Sequence, residues 1–227
     1  MKRIGLLSSL VTYAVVGVCA GSLLASAAET RTATIVGLQG DVTVANAPAK
    51  VKQQVGAGEL IATGSKSLAR FNLGINGPGL NVLENSSVTL DELTADTSGS
   101  APVITTRISV KAGSAAGYVK KLAPQSVYTV STLTTTAAIK GTKWKVYANG
   151  RVAVTEGCVT VTTSKGGKFD VCKGQAYDPD SDSVVAASGA DFDDGGGFNG
   201  EGTPSVFVPS GFTPTRPVTS GASTGNP

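Results

Sequence analysis

Histidine is absent from all 227 residues. Its absence removes the side chain that most often serves as a general base near neutral pH, and with it a common metal ligand. Zinc hydrolysis and serine or cysteine triads of the ordinary kind are excluded on that ground. Aromatic residues make up 5% of the chain, with a single tryptophan, and no arginine-rich cluster interleaves with them as nucleic-acid binding would require. Helical periodicity does not persist beyond two turns anywhere; the best short candidate, 115–122, is flanked by glycine. Carboxylates are present, but Glu59, Glu84, Asp91, Glu92, Glu156 and Asp170 fall mostly at strand ends and turns, where a solvated role is the default over paired acid and base work. The segment 221–225 fits a nucleophile-elbow pattern only on paper, because it lies in low-complexity sequence near the carboxyl end. The chain therefore reads as non-enzymatic, with no cofactor.

The ends carry clearer signals. Lys2 and Arg3 precede an uncharged stretch over 4–28 that closes on Ala25, Ser26 and Ala27, the layout of a secretory signal peptide. Cleavage is expected after Ala27 or Ala28, making 1–28 the signal and placing the mature chain in the periplasm or outside the cell. The alternative is an uncleaved membrane anchor, since about 20 apolar residues span a bilayer. Only three residues precede the run, which predicts no cytoplasmic domain. Charge then divides the remainder. Residues 29–177 hold 16 Lys and Arg against 9 Asp and Glu, a net +7, whereas 178–227 hold one Arg against seven acids, a net −6. The basic body would attract anionic partners, its own tail among them. The tail, acidic at first and then rich in Pro, Ser, Thr and Gly, is expected to be disordered from residue 178 onward, with Val206, Phe207 and Val208 as an apolar island. Asp178, Asp180 and Asp182 copy the opening of a calcium loop, but Ser183 and Gly189 break the rest of that motif.

Between the ends, β-branched and apolar residues alternate with polar ones over 32–36, 41–44, 67–73, 87–90, 103–110, 127–130, 142–147, 151–155, 159–162 and 168–172. This is strand periodicity. Asn76-Gly77 and Asn149-Gly150 suit the central positions of type I′ hairpin turns. Gly40-Asp-Val-Thr-Val returns as Gly157-Cys-Val-Thr-Val and, more loosely, as Gly167-Lys-Phe-Asp-Val. The fold class is all-β, a single domain of short strands arranged either as a β-roll or solenoid-like stack or as a twisted sandwich. Cys158 and Cys172 flank a turn-like Ser-Lys-Gly-Gly and share a face with Thr160 and Asp170; a hairpin would set them opposite one another, ready to pair as a disulfide in an oxidising compartment, the alternative being two free thiols. In the strand over 142–147, Thr142, Trp144 and Val146 point one way, and Lys143, Lys145 and Tyr147 the other. Lys143 and Lys145, with Lys120 and Lys121 nearby, would form either a cationic partner face or a solvated sheet face that discourages aggregation. Glu156, before Gly157, is placed to fix a turn by accepting backbone hydrogen bonds.

The run Ala138-Ile-Lys-Gly-Thr-Lys-Trp-Lys-Val, then Val-x-Val-x-Glu-Gly-x-Val-x-Val from Val152, then Val171 and Gly174, resembles the signature of the FecR periplasmic domain. Gly141, Thr142, Trp144, Val146, Glu156, Gly157 and Gly174 carry the resemblance, and Gly40, Leu60, Thr63, Gly64, Ser67, Ala69 and Phe71 resemble the family's opening segment. The likeness spans about 32–177. It implies an extracytoplasmic domain that senses a partner protein. In that family a cytoplasmic segment handles a sigma factor; with three residues ahead of the apolar run, direct sigma-factor contact is not expected here. The reading is a non-enzymatic extracytoplasmic FecR-like binding and sensing module of the bacterial envelope. Its expected partner is an envelope protein or an anionic glycan, not nucleic acid, and the membrane only if the N-terminal segment is uncleaved. The alternative is a structural or surface-display envelope protein.

Overall fold

The computed structural model describes residues 28–75 and 79–196. The first of two sheets runs, in spatial order, β17 (Lys168–Cys172), β16 (Cys158–Thr163), β13 (Thr135–Ile139), β12 (Val127–Ser131), β10 (Val103–Ala112), β9 (Ser87–Asp96), β6 (Leu60–Thr63), β3 (Val42–Val44) and β4 (Ala47–Pro48), with β1 (Glu29–Thr30) added to β9. The second runs β19 (Ser183–Ala186), β18 (Gln175–Asp178), β15 (Val152–Glu156), β14 (Lys143–Tyr147), β11 (Ser114–Tyr118), β8 (Gly79–Val82), β7 (Leu68–Asn72), β2 (Ala33–Gln39) and β5 (Gln54–Val55). Both sheets thus advance nearly in chain order along one direction. From β7 onward the chain lays two strands in one sheet, then crosses to the other, with β11 a single-strand visit. That visit explains the parallel pair β10–β12, since β11 occupies the opposite sheet between them. The two expected arrangements merge: the layers form a sandwich, and the winding is that of a roll.

Period-2 patterning builds each layer. In β10, Ile104, Thr106, Ile108 and Val110 are buried while Val103, Thr105, Arg107 and Ser109 face outward. The inward sets of both sheets join in one apolar cluster of Val, Ile, Leu and Ala. The largest fully buried side chains, Trp144 of the second sheet and Tyr128 of the first, meet across it with ring centroids 6.2 Å apart. At roughly 25 cal/mol per Å² of apolar surface removed from water, burying a ring of this size stabilises by about 4–6 kcal/mol before the loss of side-chain freedom is deducted.

All ten segments with strand periodicity coincide with strands, none overrunning its strand by more than one residue at an end. Three details depart from or sharpen those expectations. The segment 115–122, too glycine-flanked for a helix, enters strand β11, because Ala115 and the small residues after it pair with β8 and β14 on both sides. The hairpin between β14 and β15 exists, but its turn is not centred on Asn149-Gly150. The Gly150 amide donates to the Tyr147 carbonyl (2.9 Å) and the Tyr147 amide to the Arg151 carbonyl (2.9 Å), so Ala148 and Asn149 are central and Gly150 follows at φ +100°. That is the bulged form of hairpin. Asn76-Gly77 lies outside the described residues. Third, ordered structure continues past the expected boundary at 177: β18 and β19 form a hairpin through Asp178 and Asp182, and a 3₁₀ turn over Gly189–Phe192 follows. The apolar stretch at the amino end, Ala27, and the island at 206–208 lie outside the described residues; Ala28 is exposed just ahead of β1. Among the described residues no helix is long and apolar enough to cross a membrane.

Candidate functional site

The motif residues sit at the corners where the chain changes sheets. Gly141 leads from β13 into β14 and Gly157 from β15 into β16. Both have positive φ, +117° and +79°. A Cβ on Gly157 would lie 2.7 Å from Thr142 Cγ2 and 2.8 Å from the Gly141 carbonyl, and one on Gly141 would lie 2.9 Å from Lys121 Cα. The two corners therefore stack on each other, and neither admits a side chain. Thr142, Trp144 and Val146 are buried behind them, with Gly117 making room for the Trp144 indole, which a Cβ there would overlap. Gly174 begins β18, its amide bonded to the Val154 carbonyl at 2.9 Å. Gly40 marks a similar corner between β2 and β3, whereas Gly167 lies in the β16–β17 hairpin turn, so the third copy of the glycine echo is not a corner. These residues hold the fold in register. Glu156 accepts an ion pair from Lys143 (2.7 Å), in place of the expected turn-fixing bonds.

Lys143 and Lys145, read as either a cationic partner face or a solvated sheet face, meet different partners. Lys143 pairs with Glu156 and its ammonium lies 5.7 Å from the Tyr118 ring centroid. Lys145 is buried at 7% exposure, and its ammonium donates to the carbonyls of Ala190 (2.9 Å) and Asp193 (2.6 Å). At Lys145 the face is thus covered rather than solvated. What covers it is the chain's own segment 188–196.

Cross-strand register explains the cover. Gly37, Arg70, Asn81, Ala116, Lys145, Ala153, Ala176 and Val185 are successive partners across the second sheet, forming one row perpendicular to the strands. Glycine and three alanines make its floor low, and Arg70, Asn81 and Lys145 rise from it as donors. Segment 188–196 crosses above. Beyond Lys145, Asn81 Nδ2 donates to the Asp194 carbonyl (2.7 Å) and Arg70 Nη2 to the Gly195 carbonyl (2.6 Å). At the other end Arg151 grips the Asp191 carboxylate with two nitrogens (3.0 and 2.7 Å), and Tyr147 donates to the Ala190 carbonyl (3.1 Å). Ser188 adds its amide (2.7 Å) and hydroxyl (2.9 Å) to the same carboxylate. The contacts read main chain, with a single carboxylate as the anchor.

Electrostatics follow from this geometry. Burial lowers the Lys145 ammonium from its ordinary value, partly opposed by Asp193, Asp191 and Asp194. Burial likewise lowers Arg70, opposed by Asp194. For Asp191, burial pushes upward, but hydrogen bonds from Arg151 and Ser188 overcome it and hold the carboxyl well below the usual range. Tyr147 is raised by burial and by the neighbouring Asp191. Four functional side chains, Arg70, Asn81, Arg151 and Asp191, escaped the reading of the sequence. The signal that could have found two of them was charge inside a strand, at Arg70 within 67–73 and at Arg151 opening 151–155.

On the first sheet, Cys158 and Cys172 face each other across β16–β17 and form a disulfide with Cα atoms 4.0 Å apart. They share the outer face with Thr160 and Asp170, which hydrogen-bond at 2.7 Å. Asp178 and Asp182 are engaged by Ser181 and by the Tyr177 hydroxyl, both at 2.8 Å.

The fold and this face define a two-layer all-β domain whose second sheet holds the chain's own segment 188–196 through Arg70, Asn81, Lys145 and Arg151. No protein-family model matches the sequence, and no curated protein matches it. Among solved structures it is similar to two crystal structures of a provisionally assigned anti-sigma factor from Parabacteroides distasonis, at 12% identity and TM-scores of 0.44 and 0.42. Each comparison covers 56% of this chain and 58% of the other, so the matched part spans little more than half of those proteins.

Proposed function

We propose that the chain is a non-enzymatic extracytoplasmic binding and sensing module of FecR-like build, and that the outer face of its second sheet is the working surface. The observation that carries this reading is the row of buried donors, Arg70, Asn81 and Lys145, which holds main-chain carbonyls of segment 188–196. Buried cations are costly unless paired, and the Lys145 ammonium is met here by the backbone oxygens of Ala190 and Asp193. Such a face recognises polypeptide and carries no chemistry of its own. The amino-terminal charge and apolar pattern and the surface disulfide support placement outside the cytoplasm.

The test combines cell fractionation with N-terminal sequencing and capture from envelope extracts. The expected mature chain begins after Ala27 or Ala28 and fractionates with the envelope. A partner protein is recovered saturably by the natural chain and lost with the Lys145→Met, Arg151→Met variant. A cytosolic, uncleaved chain rejects the location; equal recovery by the variant rejects the face.

A further inference from the structure

We infer that the row across the second sheet is a peptide-binding groove, and that segment 188–196 is an internal occupant that a short acidic segment of another protein displaces. The inference rests on the binding reading above and names the ligand's chemistry.

Three observations separate an occupant from a structural cover. The groove floor and the strap bury little apolar surface against each other: the row is glycine, alanine and polar side chains, and Phe192, the one large apolar residue of the strap, is 50% exposed. A cover for the core would carry apolar side chains on its inner face. The strap also leaves the groove incompletely used. Asn81 is 1% exposed, and its Oδ1 has no hydrogen-bond partner among the described residues, although the same amide donates to the strap through Nδ2. An open cleft of about 300 Å³ is lined by Lys66, Glu84 and Ser114 together with Lys145 and the strap residues Asp193 and Gly195. A segment that offers an N–H to Asn81 and a side chain to this cleft fits better than the strap does.

The contacts specify what enters. Arg151 requires a carboxylate, met here by Asp191. The carbonyls that Lys145, Asn81 and Arg70 hold belong to any sequence. At the far end side chains are disfavoured, since Gly195 and Gly196 have φ +79° and +99°, and a Cβ on either would press on Leu83 Cδ2 or Arg70 Nη2, each at 2.7 Å. The ligand is therefore a short peptide able to follow the strap's path, a 3₁₀ turn and then a Gly-Gly pair, with an acidic residue four positions before that pair. A short tether gives the internal strap an effective concentration on the order of millimolar, so an outside peptide binds the natural chain only in competition with it.

The experiment uses the full chain and a fluorescent peptide, Ser-Gly-Ala-Asp-Phe-Asp-Asp-Gly-Gly, followed by anisotropy. The variant Gly195→Val, Gly196→Val expels the strap by its new side chains and leaves the groove untouched; Asp191→Asn loosens the strap at the opposite end as an independent route. Each is expected to bind the peptide at least ten-fold more tightly than the natural chain. Adding Lys145→Met and Arg151→Met is expected to abolish that gain, and a peptide with Asn at its first acidic position is expected to bind at least ten-fold more weakly. If both opened variants remain folded by circular dichroism and bind no better than the natural chain, the groove is not a peptide site. That result leaves the envelope-capture experiment standing, and a failed capture with successful peptide binding leaves the groove standing.

Discussion

Replacing Asp191 with Asn keeps the shape of the anchor and removes its charge. In the natural chain this carboxylate, itself 2% exposed, accepts two hydrogen bonds from Arg151 and two from Ser188, at 2.7–3.0 Å. The amide places an N–H against a guanidinium that has only N–H groups to offer, so at least one of the Arg151 bonds becomes a donor–donor conflict. Breaking a buried ion pair from one side costs about 3–5 kcal/mol. The lower end applies, because Arg151 keeps 20% side-chain exposure and lies 3.7 Å from Asp178. A loss of about 3 kcal/mol raises the open fraction of the strap by about 100-fold. Hydrogen exchange reads this directly: protection of the Asp191 amide, bonded to the Ser188 carbonyl at 3.0 Å, is expected to fall by about that factor, while amides of β12–β16 keep theirs. Unchanged exchange at 188–196 would refute the anchoring role, and a uniform fall across both sheets would refute the independence of the strap. The pH dependence has a definite sign. Since the folded carboxyl lies below its unfolded value of about 3.9, its contribution is complete above about pH 5 and is lost as pH falls through the ordinary aspartate range and on to the depressed one. Strap protection in the natural chain is therefore expected to hold at pH 5 and to drain away in stronger acid, with Asp191→Asn lacking that transition.

Three further outcomes are expected. Lys143→Ala costs under about 1 kcal/mol in urea unfolding, because its pair with Glu156 is half solvated, whereas Lys145→Ala selectively exposes 188–196 to proteolysis. Gly117→Ala destabilises by about 1–3 kcal/mol through overpacking against Trp144, and because this is the sole tryptophan its fluorescence shifts red as the indole is pushed from its site. Cys158→Ser with Cys172→Ser costs about 3 kcal/mol on the chain-entropy model for a closed loop of about this size; non-reducing mass spectrometry of the natural chain finds no free thiol at these positions.

Strand alternation was readable because one face of each strand is buried, and period 2 follows from that. The corner glycines were readable as an echo, since a positive φ at a sheet crossing leaves glycine in the sequence. β8 and β13 were less visible for the same physical reason: Gly79–Val82 is buried on both faces and Thr135–Ile139 is almost all Thr and Ala, so neither alternates in polarity. The strap was illegible. Its residues, Asp, Gly and Ser, have the composition of a solvated linker, and only the register that aligns Arg70, Asn81 and Lys145 shows why such a sequence is held. The opposed charges of body and tail allowed the tail as one anionic partner among several, and the Arg151–Asp191 pair is the contact of that kind in the strap.

The chain-ordered advance of both sheets bears on how the molecule comes together. Hairpins supply many of the strand pairs, and the others join strands a few elements apart in the chain, with β1 on β9 (Glu29 opposite Ala95) the longest reach among the strand pairs, so the stack can grow outward from a completed hairpin. The strap reaches further: its bonds to Arg70 and Asn81 join residues 125 and 113 positions apart. They can form only after β7, β8, β14 and β15 already lie side by side, and they bury too little surface to pull those strands together. Strap closure is thus expected to come late in folding and to reverse early, because a closed strap requires β7, β8, β11, β14 and β15 to be side by side already.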